Sequence, residues 1–72
     1  MTEHYTLTDD FTLAPIVKDS TRQQAADALW DLAQAVGGAR GVNIKHIAEQ
    51  LYSNKRVTAL SWSLAGVRTK IG

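Results

Sequence analysis

A glycine-rich break, Gly37-Gly38-Ala39-Arg40-Gly41, stands at the middle of this 72-residue chain and limits what can be built on either side of it. Glycine tolerates the left-handed backbone that closes a helix and does not readily continue one. The segment before it, Arg22 to Val36, is rich in Ala, Leu and Gln and contains neither proline nor glycine, so it predicts a helix that ends at the break. Asp19, Ser20 and Thr21 are three candidate N-caps for that helix. Ala25, Leu29, Leu32 and Val36 fall four, three and four apart and form one apolar stripe, with Gln24, Asp27, Asp31 and Gln34 opposite and Trp30 at the flank.

The charge changes sign at the same place. Residues 1 to 36 carry two basic side chains (Lys18, Arg22) against six acids, a net of −4. Residues 37 to 72 carry Arg40, Lys45, Lys55, Arg56, Arg68 and Lys70 against Glu49, a net of +5. The overall charge of +1 conceals this asymmetry. A basic half lying on candidate helices points to a polyanionic partner.

A chain of this length is one domain and buries only roughly 60% of its unfolded surface, which leaves a small core. Cysteine is absent, so no disulfide reinforces the fold and no thiolate holds a metal. Helix packing and self-association remain, and a homodimer is the expectation. The amino terminus, Met1 to Tyr5, is polar and acidic, and no apolar run approaches the roughly 18 residues of a membrane span, so a cytoplasmic protein is expected.

Around these segments the remaining chain reads as follows. Tyr5, Leu7, Phe11 and Leu13 share one parity in a stretch rich in Thr, Leu, Phe and Val, as a strand or short hairpin with one apolar side requires. Pro15 lacks a donor and would place such a strand at an edge. After the break, Asn43 is a candidate cap for a second helix over 43–52 with Ile44, Ile47, Ala48 and Leu51 inward. Ser53 then caps a third helix over 54–69, whose stripe is Val57, Leu60, Leu64, Val67 and Ile71. The alternation of Thr58, Leu60, Trp62 and Leu64 supports a strand over 56–64 as a competing reading. The fold class expected is mostly α: three helices, with residues 1–20 as an extended arm or short β-hairpin and the first helix over 21–36.

Residues Asn43 to Arg68, with Ile47-Ala48 and Leu51 as an apolar-Ala-x-x-apolar pattern before a tight turn, resemble the helix-turn-helix of bacterial, phage and plasmid DNA-binding regulators. In that family the second helix of the motif enters the major groove. The resemblance implies Asn54, Lys55, Arg56, Thr58 and Ala59 as the groove-facing start of a recognition helix. Gly38-Ala39-Arg40-Gly41 and the residues after it resemble, more locally, the GXXG loop and helix of KH domains. That implies an RNA backbone approached closely by glycine. The alternative reading of the same residues is a glycine-rich helix cap.

On a helical third segment Trp62 lies nearly opposite the apolar stripe, beside Ala59 and Gly66. An exposed Trp marks an interface, here a dimer contact that Ala59 and Gly66 let another helix approach, or a base-stacking platform. The other reading has residues 5–17 folded over Trp62 as core. His4 and His46 are the only histidines, and there is no H-E-x-x-H, no GxxxxGK[ST] and no G-x-S-x-G, so neither an enzyme nor a metal or cofactor is expected.

The expected function is a small DNA-binding transcriptional regulator that acts by occupying an operator, as a homodimer on double-stranded DNA. Arg40, Lys45, Lys55, Arg56, Arg68 and Lys70 are the candidates for phosphate, and Asn54, Arg56 and Thr58 for base edges. The alternative is a protein-interaction module, an inhibitor or adaptor from a mobile element that uses the Trp62 face or the acidic half; KH-like RNA binding is a lesser one.

Overall fold

The computed structural model describes residues 3–72; Met1 and Thr2, the first residues of the polar amino-terminal arm, lie outside them. The order of elements is β1 (Tyr5–Asp9), β2 (Pro15–Ser20), α1 (Arg22–Val36), α2 (Gly38–Tyr52), α3 (Ala59–Ala65) and β3 (Val67–Ile71). The strands form one antiparallel sheet in the order β2-β1-β3, which makes β1 the central strand. The mostly helical, helix-turn-helix-type fold expected from the sequence is therefore corrected to an α+β fold with helices against one side of a three-stranded sheet.

The alternation in β1 selects its two faces. Tyr5, Leu7 and Asp9 are buried, and across the β3 ladder they oppose Ile71, Thr69 and Val67. Thr6 and Thr8 point the other way and oppose Lys70 and Arg68, so the second face of the sheet is polar and basic. The strand ends at Asp9, and Phe11 and Leu13 do not continue its inward parity. They stand in the connecting loop, 75% and 63% exposed, with Leu13 at a positive φ of 63°. The reason is the Asp9 carboxylate, which accepts hydrogen bonds from the backbone N–H groups of Phe11 (2.8 Å) and Thr12 (3.2 Å) and closes a turn where the parity pattern had a strand.

Thr21 is the N-cap of α1: its side chain accepts from the Gln24 N–H and the Gln24 side chain accepts from the Thr21 N–H, a reciprocal capping box. Ala25, Ala26, Leu29 and Ala33 are the buried face. One residue, Gly37, at a positive φ of 66°, separates α1 from α2. The second helix starts at Gly38, five positions before Asn43, because the break is narrower than its glycine content implies. Gly41 lies inside α2, where a Cβ would come within 2.7 Å of the Ala33 carbonyl oxygen. Its glycine serves close approach of α1 and α2, which pack through Ala33, Ile44, Ile47, Ala48 and Leu51.

The third element departs most from its reading. Asn54 takes a positive φ of 58°, residues 55–58 belong to neither helix nor strand, and the helix begins only after Thr58, whose hydroxyl caps it through the Ser61 N–H. Gly66 closes it after seven residues in the left-handed conformation, and the β-branched Val67, Thr69 and Ile71 pair with the open edge of β1. The stripe Val57-Leu60-Leu64-Val67-Ile71 thus joins a loop, a helix and a strand. Leu60 and Leu64 are 68% and 60% exposed, while Trp62 and Ala65 are buried. The strand reading of 56–64 is replaced as well, since 59–65 is helical.

Arg22, the first residue of α1, fastens these parts together. Its guanidinium donates to the carbonyl oxygens of Leu51 (2.9 Å), Gln50 (3.4 Å) and Lys55, and to the Tyr5 hydroxyl (2.9 Å). It thereby supplies a cation and further donors to the C-terminal end of α2, where the last carbonyls carry partial negative charge. Arg22→Met, which keeps the stem and removes the donors, is expected to lower unfolding free energy by about 2 kcal/mol in a urea titration. An unchanged midpoint would show that water serves those carbonyls equally well.

Candidate basic cleft

Where α2 ends, the chain turns away through Ser53 and Asn54 and returns along Lys55 to Thr58 to start α3. This excursion opens a cleft of about 480 Å³ between the loop, the amino-terminal part of β1 and the end of β3. Leu51, Val57, Trp62 and Ile71 give it an apolar floor, and Arg22, Asn54, Lys55 and Arg56 are polar or cationic lining. Glu3 is the one acidic residue among the lining groups. It accepts a hydrogen bond from the Tyr5 hydroxyl at 3.0 Å, while that hydroxyl accepts from Arg22. Burial, and then the bond to Glu3, raise the Tyr5 pKa, with Arg22 partly opposing them, so the phenol stays neutral near pH 7.

Four residues singled out from the sequence meet at this cleft: Asn54, Lys55, Arg56 and Trp62. Their setting differs from the one expected. Asn54, Lys55 and Arg56 lie in a loop and not at the start of a recognition helix, and Trp62, at 8% exposure, is core with one side toward the cleft. Thr58 is engaged as the cap of α3, accepting from the Ser61 N–H at 3.2 Å. Gly38 to Gly41 is the first turn of α2, entered through a positive φ of 61° at Gly38, and is not a loop.

The remaining candidates are dispersed. Arg40 bridges Asp9 at 3.1 Å, donates to the Ala65 (2.9 Å) and Gly66 (3.1 Å) carbonyls and lies over the Phe11 ring at 4.7 Å. It holds the β1–β2 turn onto the end of α3. Arg68 pairs with Asp10 at 2.9 Å. Lys45 lies over the Trp30 ring at 5.1 Å, and Lys70 stands on the polar face of the sheet opposite Thr6. Ala59 is exposed on α3; Gly66 is buried, and a Cβ there would meet the Phe11 ring and come within 3.0 Å of Arg40 Nε.

Two of the six cations of the second half therefore answer acids of the first half. Among the described residues Lys45, Lys55, Arg56 and Lys70 form no salt bridge. Arg22, Tyr5 and Asp9 are not among the site residues that the sequence suggests. Arg22 had a signal: a cation in the first turn opposes the helix dipole, so it needs a partner elsewhere in the fold. Among the described residues no three His, Cys, Asp or Glu side chains gather as a metal would require, and no helix is long and apolar enough to cross a membrane. No family model matches the chain, and comparison with curated proteins and with solved structures gives no match, so the functional reading rests on the cleft and its charge.

Proposed function

We propose that this chain binds DNA through the rim of the basic cleft and acts by occupancy, as a small regulator does. The observation that supports this most directly is the convergence of Asn54, Lys55 and Arg56 with Arg22 around one cleft whose lining includes a single carboxylate. Lys55 and Arg56 would neutralise phosphates, with Asn54 beside them able to donate to and accept from a base edge. The apolar floor with Trp62 offers a surface on which an everted sugar or base edge can rest. No helix enters a groove in this reading; the protruding loop does so.

Fluorescence anisotropy with labelled duplex DNA at two salt concentrations tests it. With two or three phosphates neutralised, log K should fall against log salt with a slope of roughly −2 to −3. Lys55→Ala with Arg56→Ala should remove about two units of that slope and most of the affinity, with no change in thermal stability. Absence of binding by the wild-type protein at low salt would reject the proposal; a strong preference for single strands would move the ligand to unpaired nucleic acid. A protein-interaction module is the second reading, and the exposure of Phe11, Leu60 and Leu64 favours it.

A further inference from the structure

We infer that the outer face of the α1–α2 pair carries a binding cleft for a methylated ammonium group, walled by Trp30 and Tyr52 with Glu49 beside them. Helical spacing brings these parts together. On α1, Asp27, Trp30 and Asp31 are three and four positions apart, and on α2, Lys45, Glu49 and Tyr52 are seven at most, so each set lies on one face of its helix. The Tyr52 hydroxyl donates to the Asp27 carboxylate and joins the two faces. Next to that bond lies an open cleft of about 450 Å³, lined by Trp30, Glu49, Tyr52 and Ser53. It shares no lining residue with the basic cleft, so the inference does not depend on DNA binding there.

The chemistry of the lining identifies the occupant. Aromatic faces attract cations, and the Trp30 ring already carries one, the Lys45 ammonium at 5.1 Å. Lys45 does not line the cleft, which leaves the space between Trp30 and Tyr52 to another cation. Negative charge surrounds that space. Glu49 lines it, and Asp31 stands close enough that, after the Asp27 bond and burial, its charge helps to raise the Tyr52 pKa and keep the phenol neutral. Among the described residues Asp27, Asp31 and Glu49 form no salt bridge. The cleft also stands at the C-terminal end of α2, whose last turn has no basic residue, so the negative end of that helix adds to the field; Arg22, on the Gln50 and Leu51 carbonyls, offsets part of it.

The kind of cation follows from the acceptors at hand. A divalent metal requires a cage of oxygens, and among the described residues no three His, Cys, Asp or Glu side chains gather. A bare ammonium or a guanidinium brings several N–H donors into the site, whereas Asp27 is engaged by Tyr52 and Glu49 is the one carboxylate in the lining. A methylated ammonium carries its charge with few donors or none, and aromatic faces with one nearby carboxylate suit it.

Titration of the isotope-labelled full chain with choline chloride, read by nuclear magnetic resonance at the two tryptophan indole N–H signals, tests this. The Trp30 signal, identified by its absence from Trp30→Leu, is expected to shift with a Kd of about 1–10 mM while the Trp62 signal stays, with equal sodium chloride as the blank. The neutral isostere of choline, with a tert-butyl group in place of the trimethylammonium, should bind at least about tenfold more weakly. Tyr52→Leu and Glu49→Gln, both at exposed positions, should weaken choline binding about tenfold and about threefold with the circular dichroism spectrum unchanged. A trimethyl-lysine peptide that binds more tightly than choline would place the cation on a partner chain, and equal affinity would make it a free amine. No shift of the Trp30 signal at about 50 mM choline overturns the inference. So does equal binding of the neutral isostere, or binding that Tyr52→Leu and Glu49→Gln leave unchanged.

Discussion

Trp62→Ala is expected to lower unfolding free energy by about 3–5 kcal/mol, the cost of deleting a large aromatic from a packed interior. For a domain of this size that removes most or all of the stability. The residue carries a disproportionate share because α3 contributes only Trp62 and Ala65 to the core. Every other large side chain of that helix faces outward, so without the indole α3 keeps only Ala65 and the hydrogen bonds of Arg40 and Asn43 to its last carbonyls to hold it against α2. Urea titration followed by far-ultraviolet circular dichroism should show no cooperative transition for the Ala variant and a weakened but cooperative one for Trp62→Phe. A Trp62→Ala protein within about 1 kcal/mol of wild type would contradict the burial, since a surface residue costs no more than that.

Asp9→Ala should cost about 3 kcal/mol, and its partner Asp9→Asn supplies a pH signature. The carboxylate is buried at the end of β1, accepts from two backbone N–H groups and faces Arg40. Burial alone would raise its pKa; the N–H groups of Phe11 and Thr12 and the Arg40 guanidinium outweigh burial and hold it below the ordinary value. The folded state then binds a proton less readily than the unfolded one. Its contribution is complete above the unfolded pKa of about 4 and disappears as pH falls through the lower folded value. The wild-type urea midpoint should therefore drop more steeply below about pH 4 than that of Asp9→Asn, which carries no charge to lose. Parallel profiles for the two proteins would mean that Asp9 is not the group that titrates.

The same residues show what the sequence makes visible and what it hides. Local patterns were legible wherever one element supplied the whole signal. The Arg22–Val36 helix, its cap among Asp19 to Thr21, the inward set Ile44, Ile47, Ala48 and Leu51, and the strand parity of Tyr5 and Leu7 all appear as read. The reading failed after Tyr52, where five apolar residues at helical spacing were divided among three elements. What decided that region was not local: β1 had a free edge to offer Val67–Ile71, and Gly66 let the chain turn into it. The charge asymmetry was real in the sequence, but part of it serves the fold. Arg40 and Arg68 meet Asp9 and Asp10 across nearly half the chain or more, a pairing that no spacing rule announces. Of the candidate site, Lys55 and Arg56 were legible as cations and Asn54 only through the helix-turn-helix resemblance, whereas Arg22 and Tyr5 reach the cleft only through tertiary contacts.

The sheet order has a consequence for how the molecule is made. Among the described elements β1 precedes all others in the chain and receives its second neighbour from β3, which follows them all, and His4 and Gly72 exchange backbone hydrogen bonds at 2.9 and 3.0 Å. The β1–β2 hairpin and the α1–α2 pair can assemble during synthesis from contacts close in sequence, yet Tyr5 and Leu7 keep one flank bare until residues 67–71 are free to join them. Closure of the sheet therefore waits for β3, after both long helices have been made. The interval before closure, with a sticky half-built sheet, is when the nascent chain is most vulnerable to proteases and to pairing with the wrong strand.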